Sequence, residues 1–258
     1  MIHLSLIGIG TGNPKHLTLE AIETIRAQDL ILIPNKGAGK DDLAGLRRQI
    51  CVDVLAGAAE PPQIIEFDLP ERDPAIADYQ RRVDEWHDAI AEVWDSALNR
   101  HLPAGGRAGF LVWGDPSLYD STMRIADRLL RRRAVQLSVI PGITSIQALT
   151  AAHRVPLNTI GAPVQITTGR RLRDCGWPED CDTLVIMLDG VCAFQDIAQP
   201  ENVTIHWSAY AGMANEINIS GKLADVSARI LTTRAALRAD HGWIMDIYLL
   251  QRTGPPQP

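Results

Sequence analysis

Trp113-Gly114-Asp115-Pro116-Ser117-Leu118-Tyr119 is the stretch on which the fold turns. It follows an apolar run, Ala108 to Val112, that reads as a buried strand bounded by turn residues. A helical pattern from about Ser121 to Arg132 comes after it. Gly114 permits unusual backbone angles and Pro116 removes a donor, so the strand stops abruptly. Asp115 is thereby left at the carboxyl end of a parallel strand, the edge where open α/β sheets bind ligands. Taken alone, the stretch reads equally well as an ordinary strand-to-helix turn.

The strand before it has partners on both sides in the sequence. Ile2 to Ile9 is a first sheet strand ending in the glycine-dense turn Gly8-Ile9-Gly10-Thr11-Gly12-Asn13-Pro14. Thr18 then caps a helix with Leu19, Ile22 and Ile25 on one face, and Leu30 to Ile33 forms a second strand stopped by Pro34. This is a βαβ unit. Downstream of Trp113, Val135 to Ile140 forms another strand, and Pro141-Gly142-Ile143-Thr144-Ser145 ends it and opens a short helix to about Ala152. From Asp41 to about Leu102 the chain reads as polar and helical, with breaks at Pro61-Pro62 and Asp73-Pro74. Trp86 and Trp94 fall on the apolar face of its Tyr79–Leu98 segment, as core packing.

Two phosphate-binding readings fail on spacing. In a dinucleotide fingerprint the third glycine would come one residue later than Gly12, and Asn13-Pro14 separates the turn from the helix N-terminus. Asn35-Lys36-Gly37-Ala38-Gly39-Lys40 lacks the Ser or Thr that follows a P-loop lysine, since Asp41 stands there.

Between His153 and Pro163 the pattern changes. Strand-like runs follow at Val164–Thr168, Thr183–Leu188, Val203–Tyr210, Glu216–Leu223 and Trp243–Gln251, with one clear helix at about Val226–Leu237. The fold class is therefore α/β in two domains. Residues 1–155 carry a mostly parallel sheet with flanking helices, and residues 160–258 a mixed sheet with helices.

Composition narrows the function. The chain of 258 residues has a formal net charge of −6, which argues against a nucleic-acid backbone as the main partner. No apolar run is long enough for a membrane span. Met1-Ile2-His3-Leu4 enters a strand directly rather than through the layout of a signal peptide, so a cytoplasmic protein is expected. Cys51, Cys175, Cys181 and Cys192 lack paired spacing, so reduced thiols are expected and no metal site.

Three loops at strand ends carry Gly-x-Gly-x-Gly-x-Pro-x-x-Leu-Thr, Gly-Asp-Pro-x-x-Tyr and Pro-Gly-x-Thr-Ser. In this order and spacing the chain resembles the tetrapyrrole (corrin/porphyrin) methylases. Ile31 to Gly37, with Lys40-Asp41-Asp42-Leu43 and Leu46-Arg47-Arg48, resembles the member that methylates C-1 of precorrin-5 and releases acetate in cobalamin synthesis. The resemblance implies S-adenosyl-L-methionine as methyl donor, S-adenosyl-L-homocysteine as product, a precorrin substrate and a homodimer. It implies a donor site in the cleft between the two domains. Donor contacts carry over onto Gly114, Asp115 and Leu118, and onto Thr144 and Ser145. In the second domain they carry over onto Met187 or Leu188, Ala211 and Gly212, and the region of Gly242. Thr11 and Trp113 stand near the cleft where many relatives have proline and glycine.

Methyl transfer from a sulfonium is an in-line displacement and mainly a positioning task, which accords with the lack of any catalytic-triad or zinc-protease motif. Release of acetate needs water to attack an acetyl carbonyl, for which His206, Tyr210 and Asp189 are acid–base candidates beside ordinary structural roles. Arg170 and Arg171, then Lys36, are candidates to read the substrate's carboxylates, because arginine's forked donors match them. A methyltransferase of another corrin carbon or of a diphthine-type substrate is the nearest rival reading. A nicotinamide-dependent oxidoreductase is the rival from another class.

Overall fold

β1 (Ile2–Gly8) carries Leu4 and Leu6 on one face and Ile7 on the other, all fully buried, so it must lie inside a sheet covered on both sides. That is its place in the computed structural model, which describes residues 1–35, 41–242 and 244–252. The chain divides into two compact units, Met1–Thr144 and Ser145–Pro258.

In the first unit, β1 joins β2 (Leu30–Asn35), β3 (Gln63–Asp68), β4 (Gly106–Val112) and β5 (Val135–Ile140). The five strands are parallel, in the order β3-β2-β4-β1-β5. Helices α1 (Leu19–Arg26) and α2 (Asp41–Leu55) cover the face carrying Ile7, Ile31 and Ile33. Helices α3 (Tyr79–His101) and α4 (Thr122–Leu130) cover Leu4, Leu6 and Phe110. Thr18 caps α1 by accepting the Ala21 N–H at 3.0 Å. Trp94 of α3 stacks on Phe110 with ring centroids 3.9 Å apart, so truncating it to alanine would cost about 3–5 kcal/mol. The arginines around the end of α4 pair with α3: Arg128 with Asp84 at 2.8 Å, Arg132 with Glu92 at 3.2 Å and Arg133 with Asp95 at 2.9 Å.

β3 corrects the expectation that the chain between Asp41 and Leu102 is helical apart from its proline breaks. Gln63–Asp68 is an edge strand paired to β2 on one side only, with Ile64 exposed. Pro61-Pro62 leads into this strand rather than merely breaking a helix.

The second unit contains β6 (Val164–Thr168), β7 (Thr183–Met187), β8 (Val203–Ala209), β9 (Ile217–Lys222) and β10 (Asp246–Arg252). Their order is β6-β7-β10-β8-β9, parallel between β6 and β7 and antiparallel elsewhere. Trp207, Tyr248 and Phe194 pack on one face with Ile230 of α7 (Leu223–His241). Helix α5 (Ser145–His153) packs against β8, β9 and β10, and belongs to this unit. Its His153 Nε2 lies 3.2 Å from the Trp207 carbonyl and 3.1 Å from Ser208 Oγ. A further helix, α6 (Gly169–Cys175), follows β6 where the sequence pattern gave no helix, because seven residues are too few to show a period.

Candidate functional site

The loops after β1, β4 and β5 meet backbone to backbone in the first unit. Gly10 and Gly114 exchange hydrogen bonds, 2.8 Å from the Gly114 N–H to the Gly10 carbonyl and 3.3 Å in reverse. A Cβ on Gly8 would lie 2.7 Å from the Gly142 nitrogen, and one on Gly142 would lie 2.0 Å from the Gly114 oxygen. Only glycine permits this approach, so Gly8 and Gly142 fix the junction although neither was a site candidate from sequence.

Asp115 locks the junction. Its Oδ2 accepts the Gly142 N–H at 2.8 Å, while Oδ1 accepts the Ser117 N–H at 2.8 Å and the Ser117 hydroxyl at 2.5 Å. Partial burial works to raise its pKa, yet these hydrogen bonds outweigh it and hold the carboxyl below its usual value. The carboxylate thus ties the second loop to the third rather than capping α4, whose N-cap residue is Ser121. Gly114 adopts φ +65°, and a Cβ there would meet only Thr144 Cα, at 4.0 Å. Gly114 thus has space on its Cα side beside Thr144, while its N–H and carbonyl are both taken by Gly10. Thr11 is buried and its hydroxyl bonds His16 Nδ1 at 2.8 Å. Trp113 is half-buried against the Ile7, Ile9 and Ile140 cluster. Leu118 is half-buried, and Tyr119 after it is exposed at φ +50°.

Sequence reasoning also missed Arg47. This buried side chain of α2 donates from Nε to the Leu111 carbonyl at 2.9 Å, near the end of β4. Burial draws its pKa down, against the pull of Asp120. The only local signal was its place in Leu46-Arg47-Arg48. Lys36 lies outside the described residues, as does Lys40.

In the second unit the candidates gather at one edge of the sheet. Ile186, Tyr248 and Trp207 share a register row, which sets Leu188, Asp246 and Ala209 together at the ends of β7, β10 and β8. Leu188 has φ +53° and is 66 % exposed, while Met187 before it is half-buried. An exposed leucine in left-handed backbone is a sparsely populated state that clusters at ligand sites. Ala211 is buried, and the N–H of Gly212 is held by Glu216 Oε2. Gly242, exposed at φ +71°, ends α7 as a left-handed cap. Ser145, half-buried, begins α5.

The acid–base candidates separate. Asp189 is 5 % exposed and accepts the Val191 N–H at 3.1 Å, the Ala193 N–H at 2.7 Å and the Tyr248 hydroxyl at 2.5 Å. Tyr210 is buried, its ring edge-on to His241. His206 sits in mid-strand beside His153, ring centroids 5.2 Å apart, with Nδ1 buried and lacking a hydrogen-bond partner among the described residues. Burial and the neighbouring His153 lower its pKa, against a hydrogen bond with Gln251. Arg170 and Arg171 are exposed at the end of β6, and Arg171 lines a cavity of about 290 Å³ with Gln165 and Thr167.

Residues 3–227 match the family model described as Tetrapyrrole (Corrin/Porphyrin) Methylases. A precorrin-6A synthase [deacetylating] from Sinorhizobium sp. is 49 % identical over 98 % of this chain and 96 % of its own. Among solved structures, a cobalamin-synthesis-related protein (CobF) from Corynebacterium diphtheriae superposes with a TM-score of 0.81 at 36 % identity, covering 98 % of this chain and all of that one. Uroporphyrin-III C-methyltransferase from Thermus thermophilus, complexed with S-adenyl homocysteine, shares the fold with a TM-score of 0.59 at 18 % identity, over 97 % and 98 % of the two chains.

Proposed function

Because this chain belongs to the tetrapyrrole (corrin/porphyrin) methylase family, we propose that it methylates C-1 of precorrin-5 and releases acetate, the reaction of a deacetylating precorrin-6A synthase. The observation that carries the donor half of this reading is the glycine junction of Gly8, Gly114 and Gly142, with space on the Cα side of Gly114 beside Thr144. S-adenosylmethionine supplies an electrophilic methyl group when bound. The side chains suit such a ligand in kind: Thr144 and Ser145 carry hydroxyls for its polar ends, and Leu118 and the exposed Leu188 offer apolar surface. Asp115 is engaged by its own loops, so its part is to hold Gly114 and Gly142 rather than to meet the donor's charge.

Displacement at a methyl carbon asks the protein for alignment, and a junction that leaves no room for a methyl side chain supplies it. Acetate release needs a hydroxyl equivalent at the acetyl carbonyl. Asp189 is buried with its carboxylate engaged, Tyr210 is buried, and His206 lies in mid-strand, which favours a positioned water over any of the three as a dedicated base. Arg170 and Arg171 read the carboxylates of the macrocycle. We further infer a homodimer acting in the cytoplasm. Among the described residues no helix is long and apolar enough to cross a membrane, and sedimentation of the purified protein tests the dimer.

Incubation with precorrin-5 and methyl-labelled donor, read by mass spectrometry, tests the reaction. One labelled methyl gained and a two-carbon acyl group lost is the expected result. A methyl gained with the acyl group retained would assign the chain to another corrin carbon.

A further inference from the structure

Leu188 and Cys192 both stand in left-handed backbone, at φ +53° and +60°, and the turn between them needs bracing. What braces it is one buried carboxylate. Asp189 takes the N–H groups of Val191 and Ala193 from within the turn, and the Tyr248 hydroxyl from the neighbouring strand β10. Its own carbonyl accepts Arg234 Nη2 of α7 at 2.9 Å, and Arg234 Nε is in turn 2.9 Å from Asp246, which also accepts the Trp207 indole N–H at 3.0 Å. Gly169, the first residue of α6, makes room for it: a Cβ there would fall 2.2 Å from Asp189 Cγ. Three elements, α6, α7 and β10, thus converge on one residue next to the exposed Leu188.

We propose that Asp189 is a positioning residue for methyl-donor binding, holding the Leu188 backbone in its left-handed, outward conformation through Tyr248, Arg234 and the Val191–Ala193 amides. The proposal rests on Leu188 being a donor contact. Buried polar groups with all partners present specify one arrangement, and an unpartnered member undoes it. In Asp189→Asn the amide NH₂ faces a donor on one side, and in Tyr248→Phe only the hydroxyl is lost. In Gly169→Ala the added methyl pushes the carboxylate aside from a residue that touches none of the turn's hydrogen bonds.

The test uses the full chain and calorimetric titration of S-adenosylhomocysteine, with KM for donor and macrocycle, each variant assayed well below its own melting midpoint. A misplacement of about 1 Å suffices for a large loss, so Asp189→Asn and Gly169→Ala are expected to weaken binding about tenfold or more. Tyr248→Phe is expected to weaken it by several-fold. Donor KM should rise while macrocycle KM stays unchanged, a split that general loss of structure would not produce. Leu188→Gly serves as the control for the underlying reading. If it weakens binding while folded Asp189→Asn, Gly169→Ala and Tyr248→Phe all bind within twofold of wild type, the positioning role is wrong and the donor contact stands. If Leu188→Gly itself binds like wild type, the donor contact is wrong. Should Asp189→Asn fail to fold, Tyr248→Phe and Gly169→Ala decide.

Discussion

Gly142→Ala is the sharpest perturbation of the loop junction. The residue is not in left-handed backbone, so alanine carries no conformational penalty there and the effect is purely one of space. Its Cβ would stand 2.0 Å from the Gly114 oxygen and 3.0 Å from Gly8 Cα and C, where contacts shorter than 3.0 Å essentially never occur. The obstructing atoms are backbone, so the β4 and β5 loops must part by about 1 Å, an overpacking cost of about 1–3 kcal/mol. For a chain of this size that lowers the melting midpoint by roughly 2–10 °C. The displaced atoms hold the loops proposed to line the donor site, so its affinity should fall by about one to two orders of magnitude. Differential scanning fluorimetry and calorimetric titration with S-adenosylhomocysteine read both effects on one sample. Gly57→Ala is the comparison: its φ of +77° strains alanine but nothing lies within 4 Å, so it should lose some stability and keep its donor affinity. A Gly142→Ala protein that melts and binds like wild type would refute the interlocked junction.

Asp115→Ala, which removes the tie to Gly142 and Ser117, should weaken donor binding by several-fold in a folded protein; unchanged affinity in titration would detach the carboxylate from the site. Replacing Arg170 and Arg171 by alanine should raise KM for the macrocycle and spare donor affinity, and steady-state kinetics with both held at wild-type values would reduce the pair to surface. Burial lowers the pKa of His87, His153 and His206 below the ordinary 6.5, so the unfolded chain takes up protons that the folded chain resists. Their contribution to stability is therefore complete above about pH 6.5 and is lost as the pH falls below it. Thermal melts from pH 8 to pH 5 should decline on the acid side, less steeply for His206→Gln, and a flat profile would exclude this linkage.

How much of this was written locally in the chain follows from how each feature is encoded. The strand ends were legible because Gly10, Gly114, Pro116 and Pro141 punctuate apolar runs, and such punctuation acts within a few residues. Thr18 as a cap was legible for the same reason. β3 was not, since an edge strand buries little and its Ile64, Ile65 and Phe67 do not alternate cleanly. The unit boundary at Thr144 was not either: α5 joins the second unit through His153, whose partners Trp207 and Ser208 lie more than 50 residues on. At the site, Asp189 read as an acid–base candidate beside an ordinary structural role. Its true setting depends on Tyr248, 59 positions away, and on the missing side chain of Gly169, and no periodicity announces either. The glycines themselves were visible, but which pairs touch is a property of strand order.

This chain moves a methyl group onto C-1 of precorrin-5 and expels acetate. Mass spectrometry of the product formed from precorrin-5 and deuteromethyl-labelled donor tests it most directly. One deuterated methyl gained per macrocycle, with free acetate recovered in equal amount, is the predicted result; unaltered precorrin-5 in the presence of bound donor, or methylation without acetate, would contradict it.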